Sequence, residues 1–207
     1  MKPSLFLVPF LLFVLITIQS ISSATTDDFI YDIAGKKVKK NSPYYIGPVN
    51  WGNGGGIKSS NTKCPVHVIQ DPKEVTKGDS FEFTPNAPKE QFLRISYPLG
   101  VSIDLTKSNG KCKESTFLKI DDIESKPPSN YITSGGLFDT AISCFQFVKY
   151  PKPTNAKVPS YLLQLCPSFC GAGPNGCFNI STSVYNGVKY LGASGTPLEL
   201  VFKKASA

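Results

Sequence analysis

The feature that most restricts this chain is how often its apolar runs are interrupted. They are short, about four or five residues each, and are cut every 8–12 residues or so by clusters of Gly, Pro, Asn and Ser. The supply is large: 17 Gly and 17 Pro among 207 residues. A helix that buries one face needs an apolar period near 3.6 residues held for about three turns, and no window holds it. Alternation is what remains, clearest in Val101-Ser102-Ile103-Asp104-Leu105. The same pattern predicts strands over 44–46, 65–69, 80–83, 92–95, 117–120, 145–148, 161–165, 188–191 and 198–202. The expectation is an all-β sandwich or barrel in one domain, large enough to bury a substantial core.

The first 24 residues do not belong to that pattern. Lys2 precedes an almost unbroken apolar run over 5–18, and Ser22-Ser23-Ala24 supplies the small residues of a cleavage site. The run is about 14 residues, short of the roughly 20 that span a bilayer. Residues 1–24 are therefore expected to be a cleaved secretory signal and 25–207 the folded domain, with no membrane partner after cleavage. All six cysteines, Cys64, Cys112, Cys144, Cys166, Cys170 and Cys177, follow the signal. An even number on an oxidising route implies disulfides, though not which pairs form. The spacing of Cys166, Cys170 and Cys177 lacks paired CxxC knuckles, so no metal site is expected.

Charge and chemistry exclude further classes. The formal net charge is +7, and loss of Lys2 with the signal leaves +6. The basic residues are scattered except for Lys36, Lys37, Lys39 and Lys40, which lack interleaved aromatics and read as a solvated turn. A nucleic-acid partner is not expected; weak, salt-sensitive attraction to acidic partners is. The lone His67 sits in an alternating segment and reads as a packed polar residue rather than a base. Asp27-Asp28 and Asp121-Asp122 read as exposed turns, because nothing sets two carboxylates across one cleft. Gly52-Asn53-Gly54-Gly55-Gly56 leads to Ile57-Lys58-Ser59-Ser60 in a β context, without the Lys-Ser/Thr directly after the last Gly and the helix behind it that a phosphate loop needs, and reads as a bulge or tight chain crossing. No enzyme activity and no cofactor are expected. Asn179-Ile180-Ser181 is a glycosylation sequon.

Several segments, taken in order, resemble the plant Kunitz-type protease inhibitors, the soybean trypsin inhibitor family with its miraculin-like members. They are Asp28-Phe29-Ile30-Tyr31-Asp32-Ile33-Ala34-Gly35, then Tyr44-Tyr45-Ile46-Gly47-Pro48 with Gly54-Gly55-Gly56-Ile57. Lys63-Cys64-Pro65-Val66-His67-Val68-Ile69-Gln70, Tyr161-Leu162-Leu163-Gln164-Leu165-Cys166-Pro167 and Leu198-Glu199-Leu200-Val201-Phe202 complete the set. The resemblance covers essentially the whole chain after the signal. It implies a disulfide-stapled β-trefoil of twelve strands with pseudo-threefold symmetry, a monomer, secreted to the apoplast or vacuole. It pairs Cys64 with Cys112 and Cys166 with Cys177, leaving Cys144 and Cys170 as a third bridge. A Cys144–Cys166 exchange across the hairpin near Asn155 stays open.

The resemblance also implies a function: inhibition of a protease, with serine proteases first, by a rigid substrate-like loop. A loop ordered during folding does not lose that entropy again on binding. The matching segment is Phe83-Thr84-Pro85-Asn86-Ala87-Pro88-Lys89-Glu90-Gln91-Phe92, in which Pro85 and Pro88 restrict the backbone. Lys89 is the candidate P1 residue, the side chain that fills a trypsin-like pocket; its alignment is open across Lys89 to Gln91, and Glu90 would follow as P1′. Asn41 is the candidate loop support. The segment 168–177, closed by cysteines, is a second exposed candidate. Two alternatives follow: a non-inhibitory trefoil, miraculin-like or a storage protein, and an inhibitor of a cysteine protease or serine carboxypeptidase. Trp51 is the single tryptophan, against the repeated Gln-x-Trp of lectin-type trefoils.

Overall fold

Six strands whose alternate side chains are apolar close on themselves into a barrel. A computed structural model describes residues 28–50, 54–60, 64–105, 112 and 114–205. The expected signal 1–24, Asp27 and 51–53, including Trp51, lie outside the described residues. Twelve strands occur among those described. In order they are β1 (Tyr44–Pro48), β2 (Ile57–Ser59), β3 (Val68–Gln70), β4 (Ser80–Pro85), β5 (Leu99–Ile103) and β6 (Phe145–Lys149). There follow β7 (Tyr161–Leu165), β8 (Phe178–Asn179), β9 (Ser181–Tyr185), β10 (Val188–Gly192), β11 (Thr196–Pro197) and β12 (Leu200–Lys204).

The larger sheet runs β12-β1-β4-β5-β6-β7-β8, and β12 also pairs with β7 through Leu200 and Tyr161, which closes the barrel. The second sheet, β11-β9-β10-β3-β2, caps one end. The threefold plan is visible in the pairings. β1 and β4 flank the hairpin β2–β3; β5 and β6 flank a minimal hairpin paired at Lys119 and Thr133; β7 and β12 flank β9–β10. The three cap hairpins meet pairwise, through β3–β10, His67–Thr133 and Tyr131–Gly192. This is a β-trefoil.

Alternation sets the barrel interior. Tyr44, Phe83, Phe147, Tyr161 and Phe202 come from five different strands and are almost wholly buried. Phe202 is the hub: its ring centroid lies 4.9 Å from Phe147, 5.5 Å from Phe83 and 5.5 Å from Tyr161. Each such ring contributes roughly 1.5–3 kcal/mol by leaving water. Residues 92–95 and 117–120, expected as strands, carry only isolated bridges, Lys39–Phe92, Phe29–Arg94, Ser102–Phe117 and Lys119–Thr133. Their apolar residues are real core members, Leu93, Leu118 and Ile120, but two isolated bridges to each segment replace a continuous ladder.

Three disulfides link Cys64 to Cys112, Cys144 to Cys170 and Cys166 to Cys177. The last two tie the start of β6, the end of β7 and the segment between β7 and β8 into one knot. No helix among the described residues is long and apolar enough to cross a membrane.

Candidate functional site

The connection from β4 to β5, residues 86–98, carries the exposed residues Pro88, Lys89 and Gln91. Three groups of contacts hold it. At its start, the Asn86 amide donates to Pro98 O at 3.1 Å. The Asn86 side-chain nitrogen donates to Asp139 Oδ1 and lies 3.2 Å from Cys170 Sγ, so the loop root rests on the disulfide knot. At its tip, Lys40 Nζ donates to the Pro88 carbonyl at 2.7 Å. On the way back, the Lys40 amide donates to Gln91 O at 3.0 Å and the Leu93 amide to Val38 O at 2.9 Å.

The tip itself is a turn. The Glu90 amide donates to Ala87 O at 3.1 Å, so residues 87–90 fold back where the resemblance implies an extended run. Two prolines flanking a single Asn-Ala pair, with the Lys40 ammonium pulling on the Pro88 carbonyl, shape that turn. Lys89 projects from it into solvent. Glu90, the next residue, pairs with Arg94 at 3.3 Å, and the Arg94 guanidinium in turn lies 4.4 Å from the Phe29 ring. The acidic side chain beside Lys89 is thus turned toward a cation of its own loop.

Asn41 sits at the root of the loop. Its amide donates to Phe83 O at 3.1 Å and its Oδ1 accepts from Thr84 Oγ1 at 3.3 Å. It adopts φ +48°, a left-handed conformation that Asn tolerates better than most residues. The contact to the tip comes from Lys40, one residue earlier. Sequence reading passed over Lys40, Arg94 and Asp139: Asp139 lies far along the chain, Lys40 sits in a charge cluster that reads as solvated, and Arg94 follows Glu90 by four residues in a stretch with no helical period to bring the two together. The one available signal was the basic cluster itself, whose Lys40 is only half-exposed.

The remaining candidates separate from this loop. His67 packs edge-on against Tyr131 and Tyr190, with centroids at 6.1 and 5.6 Å, and those two rings stack at 4.6 Å. Burial lowers its pKa below the usual value, which suits a packed imidazole. Asp121 pairs with Lys119 at 2.6 Å on the surface. Gly55 and Gly56 run against the backbone of Lys73 and Lys77, the tight crossing expected of the glycine run. Phe169, at the start of the segment 168–177, is a large apolar side chain 54% exposed. Asn179 is exposed, and its Oδ1 accepts from Gln164 Nε2 at 2.8 Å.

Residues 30–204 match the family model described as trypsin and protease inhibitor, of the Kunitz legume type. Kunitz type trypsin inhibitor 104 of Medicago truncatula is 30% identical over 188 residues, covering 87% of this chain and 90% of that protein. Miraculin of Synsepalum dulcificum is 28% identical over 189 residues, covering 84% and 82%. Among solved structures, the rice bifunctional alpha-amylase/subtilisin inhibitor from Oryza sativa superposes with a TM-score of 0.67 at 26% identity, over 86% of this chain and 99% of that one. With the trefoil, the stapled knot and a braced, solvent-facing loop already in view, this chain belongs to the Kunitz family of trypsin and protease inhibitors, a family of inhibitors and not of enzymes.

Proposed function

We propose that this chain is a secreted inhibitor of serine proteases with a trypsin-like pocket, and that Lys89 is the residue that enters it. The observation that carries this reading is the bracing of the 86–91 loop. Its root, tip and return strand are each hydrogen-bonded to other parts of the fold, while Lys89 alone projects with its charge unpaired among the described residues. A lysine held out on a rigid stem presents an ammonium to an acidic pocket without ordering the stem first. Pairing of Glu90 with Arg94 lessens the repulsion an acidic P1′ side chain would otherwise meet. The pair is partly exposed, so the gain is small, on the order of 0–1 kcal/mol.

The turn at 87–90 sets a limit on affinity. To lie extended in a protease cleft the loop must open the hydrogen bond from Glu90 to Ala87. That costs about 0.5–1.5 kcal/mol, close to a tenfold loss in Kd at the upper end. Retention of the Lys40 bond to Pro88 O would keep the tip pinned during that opening.

The test is titration of bovine trypsin with the oxidised protein, residues 25–207, following residual activity. A stoichiometric fall that Lys89→Ala abolishes and Glu90→Ala leaves intact is the expected result. No inhibition at large molar excess would sink the trypsin reading. Parallel titrations of papain and a serine carboxypeptidase would then separate inhibition of another protease class from a trefoil without inhibitory activity.

A further inference from the structure

On the outer wall of the barrel, away from the 86–91 loop, β1 and β12 carry an apolar groove. Tyr45 faces Lys203 and Gly47 faces Val201 across the β1–β12 ladder, and these residues point outward while Ile46 and Phe202 fill the core. The groove holds about 460 Å³, and three connections contribute to its lining: the turn at Ile33, the β3–β4 segment at Val75 and the β6–β7 segment at Asn155 and Val158. That volume falls within the range of small-molecule sites, roughly 300–1,000 Å³.

Three observations define what fits there. The first is the floor. Ile33, Val49, Val75 and Val201 supply branched apolar surface, and two of them stay open to water, Ile33 at 47% and Val75 at 82% exposure. The second is Val75 itself, which holds φ +58°. A β-branched residue in the left-handed region is strained, and a strained backbone that presents an exposed valine over a groove is an arrangement found at ligand clamps. The third is charge. Lys77 and Lys203 line the groove with no ion pair among the described residues, and no acidic side chain lines it. Lys77 Nζ lies 5.7 Å from the Tyr45 ring centroid, leaning along the wall. Glu199, the nearby carboxylate on the β12 side, accepts from the Thr154 amide at 3.0 Å and from Ser160 Oγ at 2.6 Å, so it is committed elsewhere. Asn155 directs its Oδ1 to the Lys157 amide at 3.0 Å, which leaves its side-chain NH2 as a further donor.

We infer that this groove binds a small amphipathic anion, an apolar tail with one carboxylate, with the tail on the Val75–Val201 floor and the carboxylate between the ammonium groups of Lys77 and Lys203. An uncharged tail alone would leave both lysines unused, and a cation would be repelled by both. This site is separate from the inhibitory loop: none of its lining residues belongs to residues 86–91 or shares a backbone hydrogen bond with them among the described residues.

The experiment is isothermal titration of residues 25–207 with dodecanoate at pH 7.5, below its micelle concentration, beside dodecyltrimethylammonium, which has the same tail and the opposite head. One dodecanoate per chain is expected, with the cation at least roughly tenfold weaker. Lys77→Ala/Lys203→Ala should weaken dodecanoate about tenfold, since two charge-assisted contacts are lost. Val75→Asp should abolish binding by placing a carboxylate on the floor. Equal binding of the two amphiphiles, absence of saturable dodecanoate binding, or an unchanged affinity in the folded double variant would overturn the inference. Amide shifts of Gly47 and Val201 in the unmodified protein provide a readout that does not depend on any variant folding: movement there on adding dodecanoate is expected, and movement confined to other residues refutes the site. Cosedimentation with phosphatidylglycerol vesicles in place of monomer binding would assign the surface to a lipid bilayer and refute the small-molecule reading.

Discussion

Removing the Cys144–Cys170 bridge as C144A/C170A tests how the disulfide knot supports both the fold and the inhibitory loop. In the chain-entropy view a cross-link stabilises by restricting the unfolded chain, as about 2.1 + 1.5R ln n in cal/mol/K for a loop of n residues. The separations are 26 residues for Cys144–Cys170 and 11 for Cys166–Cys177. At 25 °C these give about 3.5 and 2.8 kcal/mol. Each bridge has one almost fully buried sulfur, Cys144 at 1% and Cys166 at 0% exposure, and one half-exposed partner. The packing lost on replacement by alanine is therefore similar in the two variants and cancels in the comparison. What survives is about 0.8 kcal/mol, the logarithm of the loop ratio. Urea unfolding of C144A/C170A and C166A/C177A without reductant, compared at midpoint with a shared slope, resolves a difference of that size. C144A/C170A should be the less stable. The knot also touches the loop root, where Asn86 donates toward Cys170 Sγ and the Asn86 amide donates to Pro98 O. Amide exchange at Asn86 should therefore quicken in C144A/C170A and stay unchanged in C166A/C177A. Equal stabilities, or a reversed order, would refute loop entropy as the controlling term; unchanged exchange at Asn86 would refute the coupling to the loop.

Gly56→Ala should destabilise the protein by about 1–3 kcal/mol, because a Cβ there would lie 2.2 Å from the Lys77 carbonyl oxygen and one of the two backbones must move; a thermal melt checks it. His67 predicts acid sensitivity. Its pKa is lowered by burial, so the unfolded chain takes up the proton first as pH falls. Its share of stability is complete above the unfolded value near 6.5 and is lost as pH falls through the lower folded value, a slope that His67→Gln should flatten in urea unfolding between pH 7 and 4. Asn179 is exposed on β8 with its side-chain oxygen bonded to Gln164, which leaves the nitrogen for modification. Expression through a secretory pathway should add one glycan, seen as a mobility shift removed by amidase and missing in Asn179→Gln; an unshifted protein would show that the strand position blocks the acceptor.

Much of the architecture was legible because its causes are local. The alternation in Val101–Leu105 marks a barrel strand, since a period of two aims every other side chain inward whatever the strand pairs with. Residues 92–95 and 117–120 carry the same apolar signal yet form only isolated bridges. Length of pairing depends on the partner, and the partner is far along the chain. The loop around Lys89 was located by resemblance, but its turn was not. The Lys40 bond to Pro88 O that pins the turn arises where two segments about 48 residues apart meet, and the local bond from the Glu90 amide to Ala87 O forms within it.

The amino-acid sequence by itself determined the strand-rich class, the buried face of each strand, the oxidised cysteines and a loop lysine directly after Pro88. These follow from side-chain period, turn chemistry and compartment, which need no knowledge of neighbours in space. Only the tertiary structure decided that β12 closes on β7, that Lys40 holds the tip of the loop, and that Lys77 and Lys203 flank one apolar groove. Those are meetings of distant residues, set by how the barrel closes, and no local pattern encodes them.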